Sequence, residues 1–426
     1  MKHLRKTWLM LTVTSSLVMV SCSRNSYPED PVKNLPNDVV LKWDEVAYEG
    51  FGGVAYQHSL MASRLNAMVH LAMHDALNAV HPKYSTYIFT GRDAGADAVA
   101  AAASAAHAVL VQELPGRKSF LDSALQQSLS TVPESEAKNR GIKLGKDAAQ
   151  AVIAARSNDG SEGDPFAPVP VSDIPGRYQT VPPFDFCFAP YWENVKVFGL
   201  QKKDQFRSSP PPALNSTAYA TAFNEVKETG ILNSATRTAD QTAYSKFWYE
   251  FSEAGWNRVA RTAAINKKLN LLEAARLFAL VDMSLADAYI AGWEAKAHYD
   301  LWRPYTAIRN AATDGNDQTT ADPQWLSAEP TPPVQDYPST HSALGNAAAT
   351  VLARVLGDNT AFTITSPTAF PAGSTRSFTS FSQAAKENAD SRVRAGIHFR
   401  FACEAGLELG NKIGNWNVDN YLKPIN

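Results

Sequence analysis

The sequence predicts an all-α protein in which helical bundles are joined by long proline-rich loops. Apolar residues recur at three- and four-residue spacing over long stretches, which is typical of helices that face a core. No strand-like alternation of any length and no internal repeat is present. Proline recurs between residues 165 and 212 together with several aromatic residues. Because disordered segments seldom carry so many aromatics, we expect an ordered loop packed on the helices there.

The N-terminus predicts an export signal that ends in a lipidated cysteine. A basic start is followed by an apolar run over residues 8–20 and then by a small residue and Cys22. This ending resembles a bacterial lipobox, with Cys22 as the acylated residue; an uncleaved anchor or an ordinary signal peptide is the alternative. Residues 23–37, rich in Pro, Asn and Ser, predict a flexible tether. We therefore expect an exported lipoprotein of the bacterial envelope, facing the periplasm or the cell surface.

The charge and the hydropathy of the sequence argue against binding to nucleic acid and against a membrane-spanning helix beyond the N-terminus. The formal net charge of the 426 residues is -2 and no basic block occurs, which argues against nucleic acid and anionic membrane surfaces. Beyond the N-terminus no stretch reaches the ~18 consecutive apolar residues that a spanning helix needs. Membrane contact is therefore expected only through the lipid anchor, while the oligomeric state is left open.

The helices can be predicted in order along the chain. They are expected at residues 58–80, 94–111, 120–129, 137–155, 216–228, 239–254, 271–299, 339–356, 377–390 and 398–413. In the first of them His70 and His74 lie one turn apart, which is a possible metal-ligand pair, although core histidines are the favoured interpretation. Residues 314–317 are expected to form a plain turn rather than a calcium loop.

Two further cysteines, Cys187 and Cys403, leave two possibilities open. They could form a single disulfide in an oxidising compartment, or they could remain as buried thiols.

The longest predicted helix, at 271–299, leads into the first of three short motifs. Lys296 lies in its last turns, and Pro304 makes its continuation past Trp302 unfavourable. Lys296 and Arg303 are seven residues apart, which is two helical turns, so their side chains can converge on one site. The alternative is an ordinary basic turn that complements the helix dipole.

The other two motifs add a hydroxyl group, a guanidinium group and two imidazoles. Residues 338–341 read Pro-Ser-Thr-His, with Ser339 as a natural N-cap, and Arg392 precedes His398 by six residues. Guanidinium groups donate in pairs to oxyanions, and a helix N-terminus adds backbone N–H groups. One histidine can attack a central atom while the other handles the proton. The three motifs together predict a site for a tetrahedral oxyanion such as phosphate or vanadate.

In this order and spacing the motifs resemble the signature of the type 2 phosphatidic acid phosphatase and vanadium haloperoxidase superfamily, which is K-x6-R-P, then P-S-G-H, then S-R-x5-H. Residues 60–80 and 272–309 are also similar to the soluble bacterial haloperoxidase-like members. The resemblance implies helical bundles of that kind, with an N-terminal helical region at 38–265 and a core that carries the oxyanion site at 266–426.

The resemblance also implies a role for each motif residue. The groups expected to hold the equatorial oxygens are Lys296, Arg303, Ser339, Arg392 and the backbone N–H of Thr340. His398 would bond the central atom, vanadium in the vanadate case, and His341 would act as acid and base. In a haloperoxidase the cofactor is vanadate and the substrates are a halide and peroxide, which is the function we expect. The alternatives are an acid phosphatase, which cleaves a phosphomonoester through a phosphohistidine with no cofactor beyond bound phosphate, and a non-catalytic phosphate-binding lipoprotein.

Three positions depart from the family pattern. Thr340 replaces the usual glycine. Threonine at this position also occurs in sphingosine-phosphate phosphatases, which favours phosphatase chemistry slightly. Ala402 stands where many members carry an aspartate that follows the covalent histidine, so we expect a backbone carbonyl or Glu404 to orient His398. Val334 occupies a position where haloperoxidases often place Phe or His, which argues against halide oxidation.

Overall fold

The structure is a computed structural model that describes residues 34–425, so the predicted signal, Cys22 and most of the predicted tether lie outside the described residues. The last residues of that tether are in contact with the helical core. Pro36 forms an isolated bridge with Asn270, and the carbonyl of Leu35 accepts a hydrogen bond from Leu271 at 3.0 Å. The chain therefore enters the fold beside the start of its longest helix.

Helices dominate the described part of the chain, and the two small sheets are antiparallel pairs. The α-helices are α1 (Asp38–Phe51), α2 (Ser59–Val80), α3 (Ala98–Glu113), α4 (Lys118–Ser130), α5 (Glu136–Arg156), α6 (Thr217–Thr229), α7 (Ala239–Phe247), α8 (Ser252–Asn266), α9 (Leu271–Tyr299), α10 (Pro304–Arg309), α11 (Thr340–Leu356), α12 (Phe381–Arg394) and α13 (Arg400–Asn420). The strands are β1 (Phe166–Pro168), β2 (Phe186–Phe188), β3 (Phe362–Thr365) and β4 (Thr375–Phe378). β1 pairs with β2 and β3 pairs with β4. The predicted all-α fold class is confirmed.

Two buried helices form the centre of the molecule. α2 packs against α3, α5 and α9, while α9 packs also against α11 and α13. Both are buried nearly all round, which matches their runs of Ala, Leu and Met. A capping box, in which the side chains of Asn270 and Glu273 exchange hydrogen bonds with each other's backbone N–H groups, fixes where α9 begins. One continuous apolar core therefore joins an N-terminal bundle to the bundle that carries the three motifs.

Glycine lets the last helix approach the helix of the second motif. A Cβ on Gly406 would lie 2.3 Å from the carbonyl oxygen of Ser339, and one on Gly410 would lie 2.1 Å from that of Ala343. Real Cβ atoms are not found at such distances from a backbone oxygen. The small residues thus bring α13, and with it the third motif, against the start of α11.

Helix α9 spans the residues predicted for it, whereas other boundaries differ. Helix α1 was not foreseen, and the helix predicted at 239–254 is broken by the turn between α7 and α8. The helix predicted at 377–390 begins later, because residues 375–378 pair with β3, and it continues to Arg394. Arg392, which lies beyond the predicted end of this helix, is therefore in the last turn of α12. The strands are too short for an alternation signal to be recognised in the sequence.

The two described cysteines are buried thiols and do not form a disulfide. Burial raises the pKa of Cys187 to about 11 and that of Cys403 to about 12. Both are therefore protonated at neutral pH, which agrees with the thiol alternative.

No single helix among the described residues has both the length and the apolar character that a membrane span requires. The segments Ala98–Glu113 and Pro115–Ser130 meet those criteria only as a pair, and they are bent by 119°.

Candidate active site

The three motifs meet where α9, α11, α12 and α13 come together. Lys296 lies in the last turns of α9, and Arg303 stands immediately before α10. Ser339 caps α11, and His398 follows α12 by a short turn. The N–H of Ser339 donates to the carbonyl of Ala402 at 2.9 Å, so the second motif is tied directly to the segment after His398. Ala402 stands where the family often has aspartate, and it contributes its carbonyl oxygen to this contact between the two motifs.

Arg303 is held rigidly at the centre of the site. Its Nε donates to the carbonyl of Val334 at 2.6 Å, and its Nη1 donates to the carbonyl of Ile397 at 2.7 Å. The same Nη1 lies 3.0 Å from Nε2 of His398. With only 1% of its surface exposed, this guanidinium is fixed by backbone on two sides and touches the imidazole on the third.

Lys296 and Arg392 supply two further buried cations. Nζ of Lys296 donates to the carbonyls of Gln335 and Asp336, at 2.5 and 3.0 Å. Burial, followed by the nearby Arg303, holds the pKa of Lys296 well below its usual value. Arg392 donates from Nη1 to the carbonyl of Trp248 at 3.2 Å, and burial lowers its pKa to about 10. Arg392 therefore remains charged at neutral pH.

His398 is oriented by Asp336, a residue that the sequence did not single out. Nδ1 of His398 lies 2.9 Å from Oδ1 of Asp336. The expected alternatives are wrong, since Glu404 is exposed and the contacting group is a carboxylate rather than a backbone carbonyl. The carboxylate lies next to Nδ1, which favours a proton on Nδ1 and leaves the lone pair on Nε2, beside Nη1 of Arg303. The one available signal was that Asp336 precedes the second motif by two residues.

Burial sets the charge states of these groups. Burial raises the pKa of Asp336 to about 7, although Arg303 and Lys296 oppose the rise. Burial, and then Arg303, hold the pKa of His398 well below its usual value. The imidazole of His398 is therefore neutral at neutral pH, which is the form that can coordinate or attack.

His341 faces the same space from the first turn of α11. Its Nε2 lies 2.8 Å from the carbonyl of Trp248, so Nε2 carries the proton and Nδ1 is the free base in the neutral ring. Burial, followed by Arg392, holds the pKa of His341 well below its usual value. The same Trp248 carbonyl binds Arg392, which sets the two side chains next to each other.

Threonine fits at position 340 because α9 has a glycine opposite it. A Cβ on Gly292 would lie 2.2 Å from Cγ2 of Thr340. Thr340 is the first residue of α11 and has no positive φ, so the position does not require the conformational freedom of glycine. Ser339 is buried, and its hydroxyl accepts from the N–H of Ser342 at 3.4 Å.

A cavity of about 700 Å³ opens over this cluster. The motif residues that line it are Arg303, Thr340, His341, Arg392 and His398. Lys296 and Ser339 do not line it but are buried beside those that do. The structure thus brings together all the residues that were expected around the oxyanion.

The other histidines singled out in the sequence have separate partners. His74 contacts Asn78 and Asp75, at 3.1 and 3.2 Å, whereas Nδ1 of His70 lies 2.6 Å from Oδ2 of Asp282. Asp44 stands near His70 as well, and its carboxylate also pairs with an arginine. Burial opposes protonation of His70, but these carboxylates outweigh it and raise its pKa. His70 and His74 are therefore core histidines and not a shared pair of ligands.

Residues 314–317 form a turn in which acidic and amide side chains cap their own backbone. The N–H of Asn316 donates to Asp314 at 2.8 Å, and the N–H of Gln318 donates to Asn316 at 3.0 Å. This is the plain turn that was expected.

Known proteins resemble this chain both in sequence and in fold. Residues 276–426 match the family model of the VCPO second helical-bundle domain. The vanadium chloroperoxidase of Curvularia inaequalis is 32% identical over 200 residues, an alignment that covers 39% of this chain and 32% of that protein. The match thus spans about a third of the length of that relative.

The structural similarity extends over nearly the whole chain. A crystal structure of a bacterial vanadium-dependent iodoperoxidase superimposes with a TM-score of 0.79 at 25% identity, covering 92% of this chain and 98% of that one. A holo-type bacterial vanadium-dependent chloroperoxidase gives 0.71 at 19% identity, over 90% and 97% of the two chains. Residues 276–426 are therefore similar to the VCPO second helical-bundle domain, and the chain as a whole has the helical fold of the vanadium haloperoxidases.

Proposed function

We propose that this chain is a vanadate-dependent haloperoxidase, which uses hydrogen peroxide to oxidise a halide. The observation that carries the proposal is the arrangement of three buried cations around the neutral Nε2 of His398. Within the part of the chain that the structure describes, Asp336 is the only carboxylate in ion-pair contact with any of them, 3.8 Å from Arg303. A site with this surplus of positive charge is complementary to an oxyanion.

The residues present fit vanadate. Nε of Arg392 is buried and has no hydrogen-bond acceptor, which is costly unless a ligand supplies one. The lone pair on Nε2 of His398 is a suitable ligand for a metal centre. The backbone at the start of α11 adds N–H donors at a helix N-terminus. Arg303, Arg392 and Lys296 would hold the oxygens, while His398 would hold the central atom.

Bound vanadate would supply a Lewis acid that activates peroxide without changing its own oxidation state. The protein groups then have distinct tasks. Arg303 and Arg392 are buried and offset negative charge at a position where each charge interaction is stronger than in water. Asp336 keeps the proton of His398 on Nδ1. His341 can accept a proton from peroxide at Nδ1 and return it, because a nearby anion raises the pKa of the imidazole.

Iodide is the halide we propose for the first test. It is the halide most easily oxidised by peroxide, and the iodoperoxidase described above resembles this chain over most of its length. Val334 lines the cavity with an apolar side chain, and its carbonyl accepts a hydrogen bond from Nε of Arg303. An apolar side chain at this position suits a large polarisable anion.

The test uses the purified chain with vanadate, peroxide and iodide, with triiodide formation as the readout. We expect turnover that depends on vanadate and that inorganic phosphate inhibits by competition. Hydrolysis of p-nitrophenyl phosphate without vanadate, together with no triiodide, would instead establish the acid phosphatase. Tight phosphate binding with turnover in neither assay would indicate a phosphate-binding protein.

We also propose that the enzyme is tethered to the bacterial envelope through a lipid on Cys22. The proposal rests on the order of basic, apolar and small residues that precede this cysteine. Labelled palmitate should enter the full chain in a lipoprotein-processing host and should be absent from Cys22→Ser. Equal labelling of both chains would contradict it.

A further inference from the structure

We propose that Glu387 is a positioning residue for the acid–base chemistry of His341 and that it acts through Trp248. This inference rests on the function proposed above, in which His341 handles the proton. Glu387 belongs to none of the three motifs and does not line the cavity, so it reaches the site only through another side chain.

The carbonyl group of Trp248 serves two residues of the site at once. It accepts a hydrogen bond from Nε2 of His341 at 2.8 Å and another from Nη1 of Arg392 at 3.2 Å. Trp248 directly follows the last residue of α7, where carbonyl groups have no partner inside the helix. The position of this one oxygen therefore sets which nitrogen of His341 carries the proton and where the ring points.

The side chain of Trp248 is held on several sides. Trp248 is buried, with 2% of its surface exposed, and its indole stacks on Trp256 with centroids 5.8 Å apart and planes at 22°. Phe247 meets the indole edge to face at 5.5 Å. The polar atom of the ring, Nε1, donates to Oε1 of Glu387 at 2.9 Å. Because the indole is rigid, holding its face and its Nε1 also restrains the Cα atom and the adjoining carbonyl group.

Glu387 is itself fixed in one orientation. Its two carboxylate oxygens accept from Arg376, Oε1 from Nε at 2.7 Å and Oε2 from Nη2 at 2.6 Å. Such a forked pair sets the plane of the carboxylate. Nη1 of Arg376 also donates to Asp240 in the first turn of α7, at 2.9 Å. Arg376 therefore connects Glu387 to the beginning of α7, while Glu387 binds the tryptophan at its end.

Helix α12 contacts both Trp248 and His341. Glu387 binds the indole of Trp248, and Arg392, five residues later, binds its carbonyl group. Between these two residues Asn388 donates from Nδ2 to the carbonyl of His341 at 3.3 Å. One helix thus holds the backbone of the histidine and also the residue that accepts the proton-bearing Nε2 of its ring.

The alternative is that the pair of Glu387 and Arg376 only stabilises the fold. The two interpretations differ in what happens to His341. Burial, and then Arg392, lower the pKa of this histidine, whereas the hydrogen bond to the Trp248 carbonyl acts in the opposite direction. A carbonyl group that moves away should therefore lower the pKa of His341 further and allow the proton to occupy Nδ1. A loss of stability alone has neither effect.

The other titratable groups near His341 are bound by partners other than Glu387. Arg392 donates to a backbone carbonyl, and His398 contacts an aspartate. Glu250, which lines the same cavity, is bound by an arginine of α8 at 2.8 and 3.0 Å. A change in the pKa of His341 after replacement of Glu387 therefore reports on the hydrogen bond at Nε2.

The experiment compares Glu387→Ala and Glu387→Gln with the parent enzyme in vanadate-dependent triiodide formation across pH. In Glu387→Ala kcat should fall roughly 3- to 10-fold and the acidic side of the pH–rate profile should move to lower pH, while KM for iodide stays within about two-fold. The amide oxygen in Glu387→Gln still accepts from the indole, although the charge that pairs with Arg376 is lost. Glu387→Gln should therefore recover kcat and the pH profile even where stability falls. A parent-like profile in Glu387→Ala, or no recovery in Glu387→Gln, would overturn the inference.

Two matched variants locate the effect. Trp248→Phe keeps a ring and the carbonyl group but lacks the indole N–H, so it should reproduce the changes seen in Glu387→Ala. Combining the two should be no worse than either alone, because both remove the same hydrogen bond, and fully additive losses would contradict the route through Trp248. Asp93→Ala breaks a comparable forked pair with Arg140 in the N-terminal bundle, and it should leave kcat and the pH profile unchanged.

A spectroscopic readout does not depend on the proposed activity. Nitrogen NMR of isotope-labelled histidine, with His341 assigned from its absence in His341→Gln, reports the tautomer of the ring. We expect the proton on Nε2 in the parent and in Glu387→Gln, and a mixture of tautomers in Glu387→Ala. If Glu387→Ala does not fold, Trp248→Phe decides the matter by the same measurement.

The outcomes separate the two proposals. The expected tautomers without any triiodide formation would overturn the haloperoxidase and leave the positioning role of Glu387 intact. Triiodide formation with the same tautomer of His341 in all the variants would overturn the positioning role and leave the haloperoxidase intact.

Discussion

Replacing Asp336 by asparagine separates stability from catalysis in this site. Burial raises the pKa of this carboxyl from 3.8 to about 7, so its ionisation is unfavourable in the folded protein. In the unfolded chain the Asp336 carboxyl ionises above pH ~4. The buried carboxyl therefore destabilises the folded protein progressively as the pH rises from ~4 to about 7. Above about pH 7 this destabilisation reaches its full value. The isosteric amide carries no such cost.

The expected magnitude follows from the size of the shift. Each pKa unit corresponds to ~1.4 kcal/mol, so the gain in unfolding free energy from Asp336→Asn should be larger at pH 8 than at pH 5 by on the order of 2 kcal/mol. Urea denaturation at the two pH values measures this difference. Vanadate affinity and turnover should fall about 10- to 100-fold, since an amide supports the Nδ1–H of His398 less well than a carboxylate.

A matched control makes the test specific. Glu404→Gln removes an exposed carboxylate from the helix that follows His398, and it should change neither stability nor turnover. If the stabilisation by Asp336→Asn were the same at both pH values, the pKa of this carboxyl would not be raised in the folded protein. Unchanged vanadate affinity would show that Asp336 does not position His398.

Two further predictions concern groups around the anion. Arg392→Lys should weaken phosphate and vanadate binding roughly 10- to 100-fold in calorimetry, because the ammonium cannot both donate to Trp248 and fork toward the anion; an unchanged affinity would mean that Arg392 only supports the fold. Gly292→Ala should destabilise the chain by about 1–3 kcal/mol in thermal or urea unfolding, since the new Cβ meets Thr340. Combining it with Thr340→Gly should recover most of that loss, and a purely additive double variant would contradict the contact.

The sequence predicted that the three motifs meet, because the chemistry of an oxyanion site is carried by residue type and spacing. Lys296 lies in the last turns of α9, Arg303 follows the end of that helix, and Nη1 of Arg303 lies 3.0 Å from Nε2 of His398. The predicted span of α9 was also correct, because its capping residue, apolar run and following proline all agree.

What the sequence missed depends on contacts between distant segments. Asp336 could not be ranked above other acidic residues, since only folding shows which carboxylate faces Nδ1 of His398. The sequence does not show why threonine fits at position 340, because Gly292, which makes room for it, belongs to another helix. Strands β1 and β2 are each three residues long, so no periodic signal in the sequence could reveal that they pair.

The most direct test of the account is a crystal structure of the protein soaked with vanadate. We expect vanadium at bonding distance from Nε2 of His398 at the base of the cavity, with its oxygens in hydrogen-bond reach of Arg303, Arg392 and the backbone at the start of α11. Vanadate bound elsewhere, or held only by surface cations while these groups keep their present partners, would contradict it.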